Sequence, residues 1–368
     1  MNEKTQPCTH CGAVHPRVNL TWMGSAELCP ECLQRYTVCC DCCGERIWMA
    51  NDYGTHYLHL CASCRADNYV TCENCGALIP QEDAHYNDED EAYCDSCYER
   101  GYGGTIHNYS YKPEPIFYGD GPLYLGVELE VDEAGKDNIN AVQALRAFNQ
   151  ENVYGYVKSD GSLNDGFELV THPCTLETHL QQVPWRETLE ALRGMGYRSH
   201  APGTCGLHIH VSRKALGKDV YEQEETIAKL LYIFERFWQE ILRFSRRTES
   251  QINHWAARYG YKDRGEEILK EAKHGANGRY ACINLTNTDT IEFRVFRGTL
   301  KYNTVIATLQ FVANLCRVAI SLPEYRIQEF SWPALIEALT QDNCPELVQY
   351  LKERNLYVNE PVTAEREV

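Results

Sequence analysis

Several familiar signals are missing from this sequence, and each absence narrows what it can be. No N-terminal stretch joins positive charge to an apolar run in the manner of a secretion signal. No run of side chains approaches the roughly 18 apolar residues of a membrane span. The expectation is therefore a globular, cytoplasmic protein that does not engage a membrane. Neither a P-loop nor a dinucleotide-binding glycine fingerprint occurs in the right context, which removes the two commonest phosphate cradles. Positive charge is scarce: 35 Lys and Arg stand against 52 Asp and Glu, a net charge of -17. That balance repels phosphate backbones and argues against general nucleic-acid binding. With 368 residues and 43% hydrophobic composition, there is material for a sizeable core in two or three domains.

Cysteine is abundant and unevenly placed. Of 19 cysteines, 14 lie at or before Cys97. The other five, Cys174, Cys205, Cys282, Cys316 and Cys344, are scattered singly and read as small buried hydrophobes. Dense cysteine without a secretion signal points to metal more than to disulfides. Cys8-x2-Cys11 is followed by Cys29-x2-Cys32, Cys40-x2-Cys43 by Cys61-x2-Cys64, and Cys72-x2-Cys75 by Cys94-x2-Cys97. Each set starts 32 residues after the one before, a threefold repeat. Two CxxC turns supply four thiolates to one tetrahedral zinc, so three zinc ions are expected. Gly12, Gly44 and Gly76 follow the second cysteine of each first pair, where a knuckle needs a permissive backbone. Cys39 and Cys42 offer the second site an alternative register, and His10, His15, His56, His59 and His85 are substitute ligands or surface residues.

Four protein ligands leave no open coordination position, so this array, residues 1–100, reads as structural modules of the zinc-ribbon or treble-clef kind. Up to Ser110 there are 6 Lys or Arg against 16 Asp or Glu. The array suits a docking surface for a protein partner, or for the neighbouring domain, better than a DNA clamp. Residues 101–120, rich in Gly, Tyr and Pro, read as a linker, and 121–368 as a second domain.

In that second half four segments alternate with period two. In Tyr124–Asp132, Leu125, Val127, Leu129 and Val131 share one face, while Glu128 and Glu130 share the other. Two carboxylates on neighbouring same-face positions repel by up to about 4 kcal/mol at 4 Å and an effective dielectric of 20, so they need a cation or water. Phe167–Thr171 puts Glu168 opposite Phe167 and Leu169. Asp160, before Gly161, is either a ligand or a turn residue. Gly203–Arg213 sets Leu207, Ile209 and Val211 against His208 and His210. The pair Arg279–Asn284 and Thr290–Thr299 turns near Asn287, and Glu292, Arg294 and Phe296 share a face that Arg297 does not. Helices are expected over Ile139–Gln150, Thr175–Met195 with a break at Pro184, Asp219–Arg247, Asn303–Ile320, Pro333–Thr340 and Pro345–Glu353.

Each strand alone has a plain reading as a half-exposed edge or an ion pair, but four strands that each reserve one face for ionisable groups suggest a single cavity. Four carboxylates there would be neutralised by two divalent cations, and oxygen-rich ligation favours Mg2+ or Mn2+. Such a cage accompanies nucleotide triphosphates, with arginine offsetting phosphoryl charge.

Gly126-Val-Glu-Leu-Glu130, Asp160-Gly-Ser-Leu with Gly166-Phe-Glu-Leu-Val, Cys205-Gly-Leu-His-Ile-His-Val211 and Ile291-Glu-Phe-Arg-Val-Phe-Arg-Gly298 resemble the motif set of the amidoligase family, which is related to glutamine synthetase and glutamate-cysteine ligase. The match runs in order from Leu123 to Pro323. The resemblance implies an α+β fold in which an antiparallel sheet forms a glutamine-synthetase-like funnel with packing helices, here preceded by small zinc-stabilised modules. It implies ATP and two magnesium ions, with Glu130 and Glu168 serving one ion and Glu128, His208 and Glu292 the other. Arg294 would sit at the transferring phosphoryl group, with Glu292 and Glu168 also catalytic. Arg279, Asn284, His210, Arg297 and Asp160 would contact nucleotide or substrate. The implied activity is ATP-dependent formation of an amide or isopeptide bond between a carboxylate and an amine through an acyl phosphate, on substrates that extend to peptide or protein. The threefold cysteine array departs from the family core and reads as a targeting or substrate-presenting module. Competing readings are a metal-dependent hydrolase using His208 and His210, a non-catalytic zinc-binding adaptor, and a Cys205 nucleophile paired with His208.

Overall fold

A computed structural model of the chain describes residues 5–87, 90–100, 104–274 and 278–357. Residues 101–103 of the expected linker and 358–368 of the expected second domain lie outside the described residues. The chain divides into two compact units, Met1–Gly104 and Thr105–Val368.

The first unit repeats one local design three times. Thr5–Pro7 pairs with Val14–Pro16, Thr37–Cys39 with Arg46–Trp48, and Tyr69–Thr71 with Leu78–Pro80, all antiparallel. The tip of each hairpin carries the first CxxC. Gly12, Gly44 and Gly76 sit there at φ of 75°, 76° and 70°, and their N–H groups donate to the carbonyls of Cys8, Cys40 and Cys72 at 2.9 Å. A side chain at that left-handed position would be strained, which is why glycine closes all three turns. The second CxxC opens a short helix in every repeat: Pro30–Tyr36, Ala62–Asn68 and Asp95–Glu99 are capped by Cys29, Cys61 and Cys94. In each repeat a hairpin that carries the first CxxC thus precedes a short helix that opens on the second.

The second unit is built on an eight-stranded sheet. Its strands are β1 (Ile106–His107), β2 (Tyr124–Val131), β3 (Gly155–Lys158), β4 (Phe167–Thr171), β5 (Cys174–Thr175), β6 (Leu207–Ser212), β7 (Ile283–Asn284) and β8 (Thr290–Phe293). The spatial order is β1-β3-β4-β2-β6-β8-β7, with β5 beside β2. Every pairing is antiparallel except β1 with β3. The apolar alternation decides which face is which. Leu125, Val127, Leu129, Leu169, Leu207, Ile209, Val211, Ile291 and Phe293 are completely buried on the back of the sheet, each contributing about 1.5–3 kcal/mol of transfer free energy.

Helices cover that back. The helix over Tyr302–Ser321 packs on those over Val220–Arg236 and Pro345–Glu353. By length and composition it could cross a membrane, with a mean hydropathy of 1.5, a match that scanning for unbroken apolar runs passes over. However, 83% of that window is buried inside the protein, so it is the central core helix.

Three expectations need correction. Residues 105–118 are not a free linker, because β1 and a bridge from Tyr118 to Cys174 tie them into the second unit. The helix expected over Asp219–Arg247 is two, Val220–Arg236 and Trp238–Ser245, broken at Phe237 with ψ at 34° and closed by Arg246 at φ 65°. The last strand stops at Phe293, so Arg294 and Arg297 lie beyond the ladder. The Pro184 break is where it was expected, between helices Leu176–Gln181 and Trp185–Gly194.

Candidate active site

Strand register brings the ionisable residues into three rows across the front of the sheet. Lys158 pairs with Glu168, and Glu168 with Glu130. One step along, Tyr156 pairs with Val170, Val170 with Glu128, and Glu128 with His208. In the third row Gly126 pairs with His210, His210 with Glu292, and Glu292 with Asn284. Successive rows are two residues apart, so all these side chains point the same way. They line one cavity of about 860 Å³, together with Arg294, Arg247, Asp160 and Arg279.

The contacts are close. His208 Nδ1 lies 3.4 Å from Glu128, 3.8 Å from Glu130 and 3.6 Å from Glu292, and His210 Nε2 lies 3.1 Å from Glu128. Arg294 is ion-paired to Glu292, whose other oxygen accepts from Asn284 Nδ2 at 2.8 Å and Asn287 Nδ2 at 3.3 Å. Lys158 Nζ is 3.3 Å from Glu168. The Gly206 N–H donates to Glu130, and a Cβ on Gly206 would clash with the His208 ring, so a larger residue there would displace a side chain of the site. Asp132 accepts from the backbones of Asn164 and Asp165 and from Thr204, pinning the loops on either side.

Crowding pulls the acidities apart. Burial raises all four carboxylates, but at Glu128 the positive fields of His210 and His208 outweigh it and hold that group well below its usual range. Glu292 is lowered in the same way, chiefly by His210. Glu168 goes well above its usual range through burial and the neighbouring Glu128 charge, and Glu130 is raised by burial. His210 is raised, because Glu128 overcomes the cost of burying an imidazolium.

Two donor sets with ligand atoms within 4.8 Å of one another emerge: Glu128, His210 and Glu292, and Glu128, Glu168 and His208. Their mostly oxygen chemistry fits a hard divalent cation. The grouping differs from the expected one. Glu128 belongs to both sets, His210 joins Glu292 because the two are direct cross-strand neighbours, and one oxygen of Glu130 accepts from the Gly206 N–H while the other lies 3.8 Å from His208 Nδ1. Arg279 is held between Tyr109 and Tyr280. The Asp160 carboxylate accepts from its own turn, at Ser162, while lining the cavity. Arg297 does not reach this cavity and lines another. Cys205 is buried with its thiol pushed up to about 12 by desolvation, the opposite of an activated nucleophile.

Among the cavity residues that escaped the sequence reading are Lys158 and Arg247. Lys158 follows Tyr156 at the same-face spacing, so alternation could have found it. Arg247 carried no such signal; it is 6% exposed, and its Nε and Nη1 have no partner among the described residues.

In the first unit each cysteine quartet brings its sulfurs within 4.8 Å, with Cys40, Cys43, Cys61 and Cys64 forming the second set. Cys39 and Cys42 are exposed and outside it. Three cross-pair sulfur separations, Cys11 to Cys29, Cys43 to Cys61 and Cys75 to Cys94, are 3.8 Å. A tetrahedron with zinc–sulfur bonds of about 2.3 Å has edges of about 3.8 Å. Backbone N–H donors lower the Cys8, Cys40 and Cys72 thiols to about 6 against burial, which raises all three, so the thiolate form is favoured at each.

Among solved structures, the chain is similar to a bifunctional glutathione synthetase from Pasteurella multocida, at 15% identity over 63% of this chain and 46% of that one, with a TM-score of 0.31. It is also similar to a complex of the prokaryotic ubiquitin-like protein Pup and its ligase PafA, at 10% identity over 63% of this chain and 62% of that one, with a TM-score of 0.29. The chain thus spans less than two thirds of either neighbour. No curated protein matches it. Residues 146–316, which hold three of the four motifs and supply Glu168, His208, His210, Glu292 and Arg294, match the family described as "Putative amidoligase enzyme"; Gly126–Glu130 lies outside the matched residues.

Proposed function

We propose that the second unit is an ATP-dependent carboxylate–amine ligase. One observation carries this: four buried or half-buried carboxylates, two imidazoles and Arg294 converge from four strands on a single cavity. The amidoligase match supports it.

In this reading a substrate carboxylate oxygen attacks the γ-phosphorus of ATP, the bond to the bridging oxygen breaks, and ADP leaves. The amine nitrogen then attacks the acyl carbon, the carbon–oxygen bond to phosphate breaks, and inorganic phosphate leaves as the amide forms. Divalent cations, held by Glu128 with His210 and Glu292 and by Glu128 with Glu168 and His208, would neutralise phosphate charge and orient the oxygens. Arg294, fixed by Glu292, faces the phosphoryl group and offsets charge that grows as it transfers. Asn284 positions Glu292 through its 2.8 Å hydrogen bond. Glu168, ion-paired with Lys158 at 3.3 Å and ionised when a cation is bound, is placed to take the surplus amine proton. The three cysteine quartets bind structural zinc and present a docking surface for a peptide or protein substrate or partner, and the enzyme works in the cytoplasm.

The test is phosphate release from ATP, screened against panels of acids and amines with Glu292→Ala as control. The expected result is turnover only with a matched pair, lost in the variant. Amide hydrolysis without ATP, and no pair that stimulates ATP turnover, would replace this reading with the hydrolase.

A further inference from the structure

A second cavity of about 990 Å³ lies in the same unit and takes no part in the chemistry above. Its lining reverses the sign of the protein. Six cationic side chains (Arg186, Arg193, Arg246, Arg297, Lys301 and Arg354) face three carboxylates there, a net charge of +3 in a chain that carries -17.

Some of these cations have structural duties. Lys301 pairs with Glu353 at 2.8 Å, Arg186 lies over the Tyr302 ring at 4.0 Å, and Arg354 donates to the Arg243 carbonyl. Arg193 and Arg297 have none: no hydrogen bond or ion pair engages either guanidinium among the described residues, and Arg297 Nε is buried without a partner. Arg246 contacts His200 and two backbone carbonyls but leaves its own buried Nε unpaired.

The backbone adds an independent sign. Arg246 adopts φ 65°, a left-handed conformation that costs a non-glycine residue about 1 kcal/mol or more. That turn sends Arg246 to this cavity and the adjacent Arg247 to the ligase cavity. A helix end capped by glycine would be cheaper if Arg246 served packing alone. Guanidiniums that outnumber the carboxylates around them repel one another and lose hydration, so a bound oxyanion that accepts their free N–H groups relieves both costs.

We infer that this cavity, at Arg193, Arg246 and Arg297, is a binding site for a multivalent phosphate-type oxyanion, separate from the ligase cavity. Planar forks match the oxygens of a phosphate in pairs, and three uncompensated cations match the charge of a pyrophosphate group. The inference does not depend on the ligase reading.

Calorimetric titration of the full chain with pyrophosphate, in magnesium-free buffer, tests it, with citrate as the carboxylate comparison. Saturable binding of pyrophosphate is expected, tighter than that of citrate, retained in Glu292→Ala and weakened at least tenfold in Arg297→Ala and in Arg193→Gln. Arg193 is exposed, so its replacement leaves the fold intact and keeps the test decisive if Arg297→Ala does not fold. No saturable binding, equal or tighter binding of citrate, loss of binding in Glu292→Ala, or unchanged affinity in Arg193→Gln would each overturn the inference.

Discussion

In the first unit the buried apolar side chains fall into three separate small clusters, each centred on cysteines: Cys8, Cys29 and Cys32 with Met23 and Leu28; Cys40 and Cys61 with Leu60; Cys72 and Cys97 with Tyr93. The second unit has one continuous core running from Ile106 to Leu356, with Phe148, Trp185, Phe234, Phe293 and Phe311 fully buried. Modules of about 32 residues cannot bury enough surface to offset chain entropy, and metal coordination by the cysteine quartets would supply the difference. In the larger unit apolar burial is ample, and it supports what is costly: a face of crowded ionisable groups, whose mutual repulsion the core outweighs. In one region metal would hold the fold, whereas in the other the fold would hold the metal.

That contrast is broken most forcefully by chelation. Full-length protein should contain about three zinc ions, each worth on the order of 10 kcal/mol to its module. Removing them should unfold residues 5–100 while the second unit keeps its structure. Limited proteolysis with metal analysis checks this, and Cys61→Ser should lower the zinc content by one. Next in size, Glu292→Ala should cut ATP turnover by roughly 10²–10³-fold, because it frees Arg294 as well as removing a ligand. Its thermal midpoint should fall, because Arg294 loses its buried partner, but the protein should remain folded at the assay temperature.

A smaller effect tests whether the cationic residues balance the acidic face. Lys158→Met removes the partner of a buried carboxylate and should cost roughly 3 kcal/mol by denaturant unfolding. Most of that should return in Lys158→Met with Glu168→Gln, where no charge is left unpaired. Smallest is a pH effect from the core. His179 accepts from Trp185 Nε1 at Nδ1 and donates from Nε2 to the Leu125 carbonyl, and burial lowers it to about 4. As pH falls below the usual histidine value of about 6.5, the unfolded chain takes a proton that the folded chain refuses. Stability from this group is therefore full above that value and declines toward pH 4, by about 2 kcal/mol at pH 5. His179→Gln should flatten that part of the pH profile, measured as the difference from wild type.

The site was legible in the sequence wherever a strand alternates. Leu125, Val127 and Leu129 against Glu128 and Glu130, and Leu207 and Ile209 against His208 and His210, state their own faces. What alternation cannot state is register between strands far apart in the chain, and so the pairing of His210 with Glu292 and the sharing of Glu128 were invisible. Arg247 was hidden for a different reason: it follows a helix through the left-handed Arg246, where no period applies. The break at Phe237 was equally silent, since Phe234, Phe237, Trp238 and Ile241 continue a helical stripe across it without glycine or proline. In the cysteine array, spacing alone picked out the quartets whose sulfurs gather within 4.8 Å, because a tetrahedral site restricts four sulfurs more tightly than packing restricts apolar side chains.

The claim that the crowded face activates a carboxylate is tested most directly by isotope transfer. With ATP, an amine and a carboxylate substrate labelled with oxygen-18, drawn from the pair found by screening, the account predicts that one labelled oxygen appears in the released inorganic phosphate for each amide formed. Amide formation with all of the label retained in the organic product or released as water would contradict it.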